Sequence, residues 1–170
     1  MTSTSQPTND AASGLGLAIL RIALGVTVLA TWWGNVGDDF YSADGLRGFF
    51  DWAFTPAEEG GNGSSLGVVE SIIDGTVLQA PGLFGFLQTV MELLIGLGLL
   101  LGVFTRFFGF LALLFFGGLF LTYFGGEEWI WTYVILMAGA LAVFLGRAGR
   151  TLGVDQLLAV RGPSSLRMLW

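Results

Sequence analysis

The sequence contains no cysteine and no histidine. Without cysteine there are no disulfides, and cysteine usage cannot report on the redox compartment. Without either residue, the usual zinc, copper and iron–sulfur ligand sets are excluded. What remains for a metal is a carboxylate-only site for a hard cation, or haem held by Met or Tyr. There is also no lysine: all seven basic residues are arginine, against 13 acidic ones, for a net charge of −6. That balance leaves no basic patch for nucleic acid. An acidic, lysine-free chain suits a halophilic host, and a GC-rich genome accounts for the missing lysine as well.

Charge of either sign is scarce. Charged residues make up 12% of the 170, about half of the ~25% usual in soluble domains. Hydrophobic residues make up 54% and the mean hydropathy is +0.74. A soluble domain of this size could not bury so much apolar side chain, whereas a lipid bilayer can accommodate it. No phosphate-binding loop, dinucleotide fingerprint or nucleophile–base pair occurs.

The apolar residues fall into runs of membrane-spanning length. Residues 1–13 are small and polar with no basic residue, unlike a secretory leader, and read as a disordered cytoplasmic tail. The stretch 14–34 is apolar apart from Arg21 and ends in Trp32 and Trp33. About twenty such residues cross a ~30 Å hydrocarbon core. Residues 83–124 form a double-length apolar run broken at Thr105–Arg106, which suggests spans at 83–104 and 107–124 with a tight corner between them. Gly125–Gly126–Glu127–Glu128 is a second corner, and 129–145 is the fourth span. The domain therefore reads as 14–158, an all-α, integral membrane four-helix bundle, followed by a cytoplasmic tail at 159–170. A short interfacial helix is expected near Val154–Val160.

The connection 35–80 carries eight acidic residues and only Arg47 as a base. Leu46, Phe49, Phe50 and Ala53 recur at i, i+3, i+4 and i+7, with Asp44 placed to cap. This predicts an amphipathic helix lying in the membrane interface. A flexible turn is expected over 58–65, then a second short helix from Leu66 to about Val77. Arg106, Arg147, Arg150, Arg161 and Arg167 fall on one side, with Arg21 nearest it, and cytoplasmic loops carry the arginine excess. The expected location is the cell membrane, multi-pass, with both termini cytoplasmic and 35–80 outside.

Two ionisable residues lie inside spans. Glu92 is near the centre of the second, with Gly85, Gln88, Thr89 and Gly96 on its helical face. Arg21 shares a face with Gly14, Ala18 and Gly25. An intramembrane ionisable group raises a functional hypothesis; the alternatives are helix-to-helix glue for Glu92 and snorkelling for Arg21. At ~1.5 Å per residue they differ in depth by roughly 9 Å, which suggests an Arg21–Glu92 pair, direct or bridged. Gln88, Thr89 and Trp33 are the candidate ligand contacts beside them. Trp32, Trp33 and Trp52 are candidates for the mouth of an outer pocket, against a simpler role as interfacial anchors. Gly98-x-x-x-Gly102 and Gly139, Ala142 and Gly146 read as helix contacts.

Three segments together resemble the DoxX family of small four-helix membrane proteins, including the DoxD-type small subunit of thiosulfate:quinone oxidoreductase. They are Leu20–Arg21–Ile22–Ala23–Leu24–Gly25, Glu92 followed by Gly96 through Arg106, and Gly146–Arg147–Ala148–Gly149–Arg150–Thr151–Leu152–Gly153–Val154–Asp155. Where many members carry histidine or lysine after the first helix, this chain has Trp33–Gly34–Asn35–Val36–Gly37–Asp38–Asp39. The resemblance implies a subunit of a quinone-linked membrane oxidoreductase acting on a small compound, with sulfur compounds as one candidate class. It implies quinone as the cofactor, and a partner redox subunit or a homo-oligomer as the assembly. The other reading is a non-catalytic membrane anchor or assembly subunit. Because the chain has no native cysteine, its topology is directly testable: cysteine at Ser64 should react with an impermeant thiol reagent in intact cells, and cysteine at Ser164 only after permeabilisation. Labelling of both from one side would overturn the arrangement.

Overall fold

The computed structural model describes residues 7–162 and Leu169, with side chains described from Ser13 onward. Among the described residues there are seven α-helices and no strand: α1 Pro7–Gly37, α2 Ala43–Phe54, α3 Gly67–Gly75, α4 Pro81–Leu101, α5 Thr105–Thr122, α6 Trp131–Gly146 and α7 Asp155–Arg161. Three of them, α1, α4 and α5, are long and apolar enough to cross a membrane. The apolar α6 has 16 residues, about 24 Å of helix.

These four helices pack in a ring in which each is antiparallel to its neighbours: α1 lies on α4 and α6, and α5 lies on α4 and α6. One end of the ring, here the loop end, carries α2, α3 and the Gly125–Trp129 corner. The other, the terminal end, carries the 102–104 corner and residues 147–155. Between them Leu24, Val28, Ile95, Leu99, Ala112, Phe116, Ala140 and Val143 form the buried core.

Several boundaries differ from expectation. Helix α1 starts at Pro7, so 7–13 continue the first helix instead of forming a tail; the rest of that segment, 1–6, lies outside the described residues. Proline suits a first helical turn, where its missing N–H costs nothing. The tail at 159–170 begins inside α7, and 163–168 and Trp170 lie outside the described residues.

The corner after α4 is 102–104, not Thr105–Arg106. Gly102 adopts the left-handed conformation (φ 69°) and Val103 N donates to Gly98 O at 3.0 Å, a glycine stop that satisfies the last carbonyls of the helix. A side chain at Gly102 would also collide with the Arg21 guanidinium and with Gly153. Thr105 therefore opens α5.

Helix α2 does not offer its apolar face to lipid. Leu46 and Ala53 are completely buried, and Phe49 packs edge-on against Tyr123 at 5.9 Å. The helix plugs the loop end of the ring. Its cap is Ser42, whose Oγ accepts from Gly45 N at 2.9 Å, with Asp44 in the first turn. Nor is 58–65 a loose turn. Asn62 is buried, and its N donates to Trp52 O at 2.8 Å. Its O and Oδ1 accept from Glu127 N and Glu128 N at 2.9 and 3.0 Å. One asparagine thus ties α2 to the α5–α6 corner, because its amide can donate and accept at once.

At the terminal end two buried charges cap two helix ends. Arg21 Nη1 donates to Leu99 O at 2.8 Å and to Leu100 O at 3.3 Å, and Nη2 donates to Leu152 O at 2.8 Å. Its cation thus sits on the negative end of α4. Asp155 accepts from Phe104 N at 2.7 Å and from Thr105 N at 2.9 Å, as well as from the Thr105 hydroxyl. This places an anion at the positive end of α5, supplied from 50 residues away. Val154 N and Asp155 N donate in turn to Leu101 O and Gly102 O at 3.2 and 2.8 Å. Replacing Asp155 with alanine strands these buried donors, and is expected to cost on the order of 3 kcal/mol. Reversible unfolding in mixed micelles measures this; a loss no larger than that of a surface substitution would refute the capping role.

Candidate functional site

The register of α1 against α4 decides which polar residues meet. A Cβ added at Gly25 would press on the Leu100 backbone, and one at Gly96 would press on Leu29. Further along, Trp32 Nε1 donates to Thr89 Oγ1 at 2.9 Å. The small residues on the Glu92 and Arg21 faces therefore do bring the two helices into close approach, as small-residue faces in apolar helices do. The same register separates the two ionisable residues. Arg21 lies level with Leu99 and Leu100, while Glu92 is seven to eight residues nearer the loop end, roughly 11 Å along the axis. The expected Arg21–Glu92 pair does not form. Arg21 turns to the α4 carbonyls and to Leu152, with Asp155 acting on it electrostatically. Its Nε is the one buried side-chain nitrogen or oxygen without a hydrogen-bond partner among the described residues.

Glu92 is fully buried and has partners of its own. Tyr41 Oη donates to Oε2 at 2.7 Å, and Gln88 Nε2, one turn back on α4, donates to Oε1 at 2.9 Å. Asn35 Nδ2 donates to Tyr41 Oη at 3.3 Å. Tyr41 stands in the turn between α1 and α2, where burial first, and the bond to Glu92 second, push its phenol above the ordinary tyrosine range. It stays protonated and keeps a donor aimed at the carboxyl group. Gly85 makes this possible: its face lies directly under the Tyr41 carbonyl, and any side chain there would push the turn away.

Asn35, Gln88 and Glu92 of this cluster line a cavity of about 270 Å³ inside the loop end of the ring, with Tyr41 behind them. Phe40 and Phe49 line it from the α2 side, Phe115, Phe116 and Tyr123 from α5, and Tyr133 and Leu136 from α6. Thr27, Thr31 and Thr132 add hydroxyl groups from α1 and α6. Glu92 and Gln88 are thus where a ligand could reach them. Thr89 is engaged with Trp32 and does not line the cavity. Trp33 is 73% exposed and points elsewhere. Of the three tryptophans considered for a pocket mouth, none lines it; Trp52 lies behind Phe49 and Tyr123, at 6.3 and 6.2 Å.

Two residues of this cluster, Asn35 and Tyr41, are not among the candidates that the sequence offers. Asn35 carried a usable signal, since Arg21, Gly25, Val28, Trp32 and Asn35 continue one face of α1 at steps of three and four. Tyr41 carried none: it sits in a turn, and only the folding-back of α2 brings it to Glu92. Chemically, the cluster can hold a proton at the Glu92 carboxyl and offer hydrogen bonds to a carbonyl or hydroxyl group in the cavity. No group of three or more Asp, Glu, His or Cys suited to a metal ion occurs among the described residues. No family model, curated protein or solved structure matches the chain.

Because Arg21 and Glu92 share no partner, their effects on stability should be independent. In a cycle of Arg21→Gln, Glu92→Gln and the double variant, the losses should add to within about 0.5 kcal/mol. A coupling energy above ~1 kcal/mol by micellar unfolding would contradict the separation of the two clusters.

Proposed function

We propose that the chain is an integral membrane four-helix bundle of the DoxX type that holds a quinone ring in the cavity beside Glu92, as a subunit of a membrane oxidoreductase. Exposed Leu83, Leu87, Val90, Leu94, Leu97 and Leu101 on α4, and Phe107, Phe110, Leu114 and Leu121 on α5, give the ring an apolar exterior suited to lipid. The terminal end carries Arg106, Arg147, Arg150 and Arg161 with Asp155, whereas the loop end carries most of the acidic residues and only Arg47 as a base. By the arginine rule the terminal end is cytoplasmic and the cavity lies in the outer half of the bilayer.

The observation that carries the reading is a buried carboxyl group, with tyrosine and glutamine bound to it, on the wall of a cavity lined mainly by aromatic and aliphatic side chains. Such a site accommodates a flat, apolar ring edged with hydrogen-bonding oxygens. Quinone, when bound, supplies the two-electron, two-proton redox chemistry that no side chain in this sequence can. In this reading Glu92 holds or releases a proton, Gln88 and Tyr41 fix the orientation of its carboxyl group, and Phe115 and Phe116 exclude water. The donor side of the reaction, a small compound and in the DoxX reading a sulfur compound, belongs to a partner redox subunit.

The lack of histidine and cysteine also favours a second reading, a membrane anchor that assembles partner proteins without taking part in the chemistry. Purification in mild detergent followed by solvent extraction separates the two. The quinone reading expects co-purifying quinone, and at least a tenfold loss of it in Glu92→Gln protein that still folds and assembles. Quinone-free protein that still retains a partner subunit would establish the anchor instead.

A further inference from the structure

Fifteen residues line the cavity, and only three of them are exposed on the outside of the molecule: Thr27 and Thr31 on α1, and Thr132 on α6. They lie on the two helices that close the ring on one side. In the terminal half those helices are drawn together, with Gly139 against Leu20 and Leu24 and Gly146 against Leu17. In the loop half the facing residues, Val28 and Thr31 on one side and Thr132 and Leu136 on the other, line the cavity. The loop-end roof is filled by Phe40 and Phe49, with Phe49 locked against Phe40, Phe50, Trp52 and Tyr123. The exposed part of the cavity wall is therefore its side.

We infer that the cavity opens sideways, through a threonine-edged slot between α1 and α6, and takes the polar head of an amphiphile from the lipid phase of the outer leaflet while its chain stays in the bilayer. This rests on the reading of the cavity as a ligand site and adds the ligand class and its route. Volume supports the division of the ligand: about 270 Å³ is below the ~300–1,000 Å³ of pockets that enclose a whole drug-sized molecule, so a long chain must remain outside. The edge chemistry fits as well. Threonine presents a methyl group to lipid and can satisfy its hydroxyl within its own helix, as Thr27 Oγ1 does by donating to Ala23 O at 3.0 Å. It makes an edge that a polar head can cross and that costs little when facing lipid. The far wall, reached last, holds Glu92 and Gln88.

The absence of native cysteine makes the test clean. In lipid nanodiscs, nitroxide labels at Thr31→Cys and Thr132→Cys should be relaxed by oxygen, which dissolves in lipid, and not by a water-soluble nickel chelate. The reverse pattern would overturn the slot whether or not any ligand binds. In the paired variant, a cleavable bifunctional thiosulfonate bridging the two cysteines should slow association of a decyl-substituted benzoquinone at least tenfold, and reduction should restore it. Unchanged association in the bridged protein would overturn the route while leaving the site intact. Lipid-exposed labels without benzoquinone binding in the unbridged protein would instead overturn the quinone reading and keep the slot.

Discussion

A charge inside an apolar helix bundle has to be solvated by the protein, and in this chain that requirement shapes both ends of the fold. Arg21 and Asp155 are fully buried, Arg21 within an apolar helix and Asp155 at the start of α7. Neither depends mainly on the other. Each is placed against a helix end, where unsatisfied carbonyls or amides provide a ready partial charge of the right sign. The consequence is topological. Arg21 on α1 holds the end of α4, and Asp155 holds the start of α5. Residues 152–155 thus bind α1 to the α4–α5 corner, two regions far apart in sequence.

Glu92 meets the same requirement differently. It lies mid-helix, where no free backbone groups exist, so its partners must be side chains. Gln88 comes from its own helix, and Tyr41 from a turn held in place by α2. A side-chain cluster of this kind is less over-determined than a helix cap. It also stands beside a cavity rather than within packed core. The terminal end is thus closely capped, while the loop end keeps a cavity beside its polar cluster. Core residues such as Leu24, Ile95, Leu99 and Val143 separate the two polar layers.

The long segment 35–80 connects the two themes. Its apolar face at Leu46, Phe49 and Ala53 is genuine, and its helical spacing was readable. The face packs on α4 and on the aromatic end of α5 instead of on lipid, because the ring leaves an open end that this helix fills. Asn62 then pins the same segment to the opposite corner. Amphipathic spacing records that a face is buried, without recording whether lipid or protein covers it.

The sequence by itself determined the all-helical class, the apolar runs, the short helix over 43–54, and the two faces carrying Arg21 and Glu92. These follow from local rules: the length of a run, the 3.6-residue period, and the placement of glycine along a face. It also singled out Glu92 and Gln88, because a carboxyl group in an apolar run stands out without any neighbour. Only the tertiary structure decided that Arg21 and Glu92 belong to separate clusters, that Trp33 and Thr89 stand outside the cavity, and that Asn35 and Tyr41 belong to the site. Helical periodicity fixes the direction in which a side chain points but leaves free the axial register of one helix on another. That register, set by the close approach of Gly25 and Gly96 to their neighbours, decides which buried polar groups can reach each other.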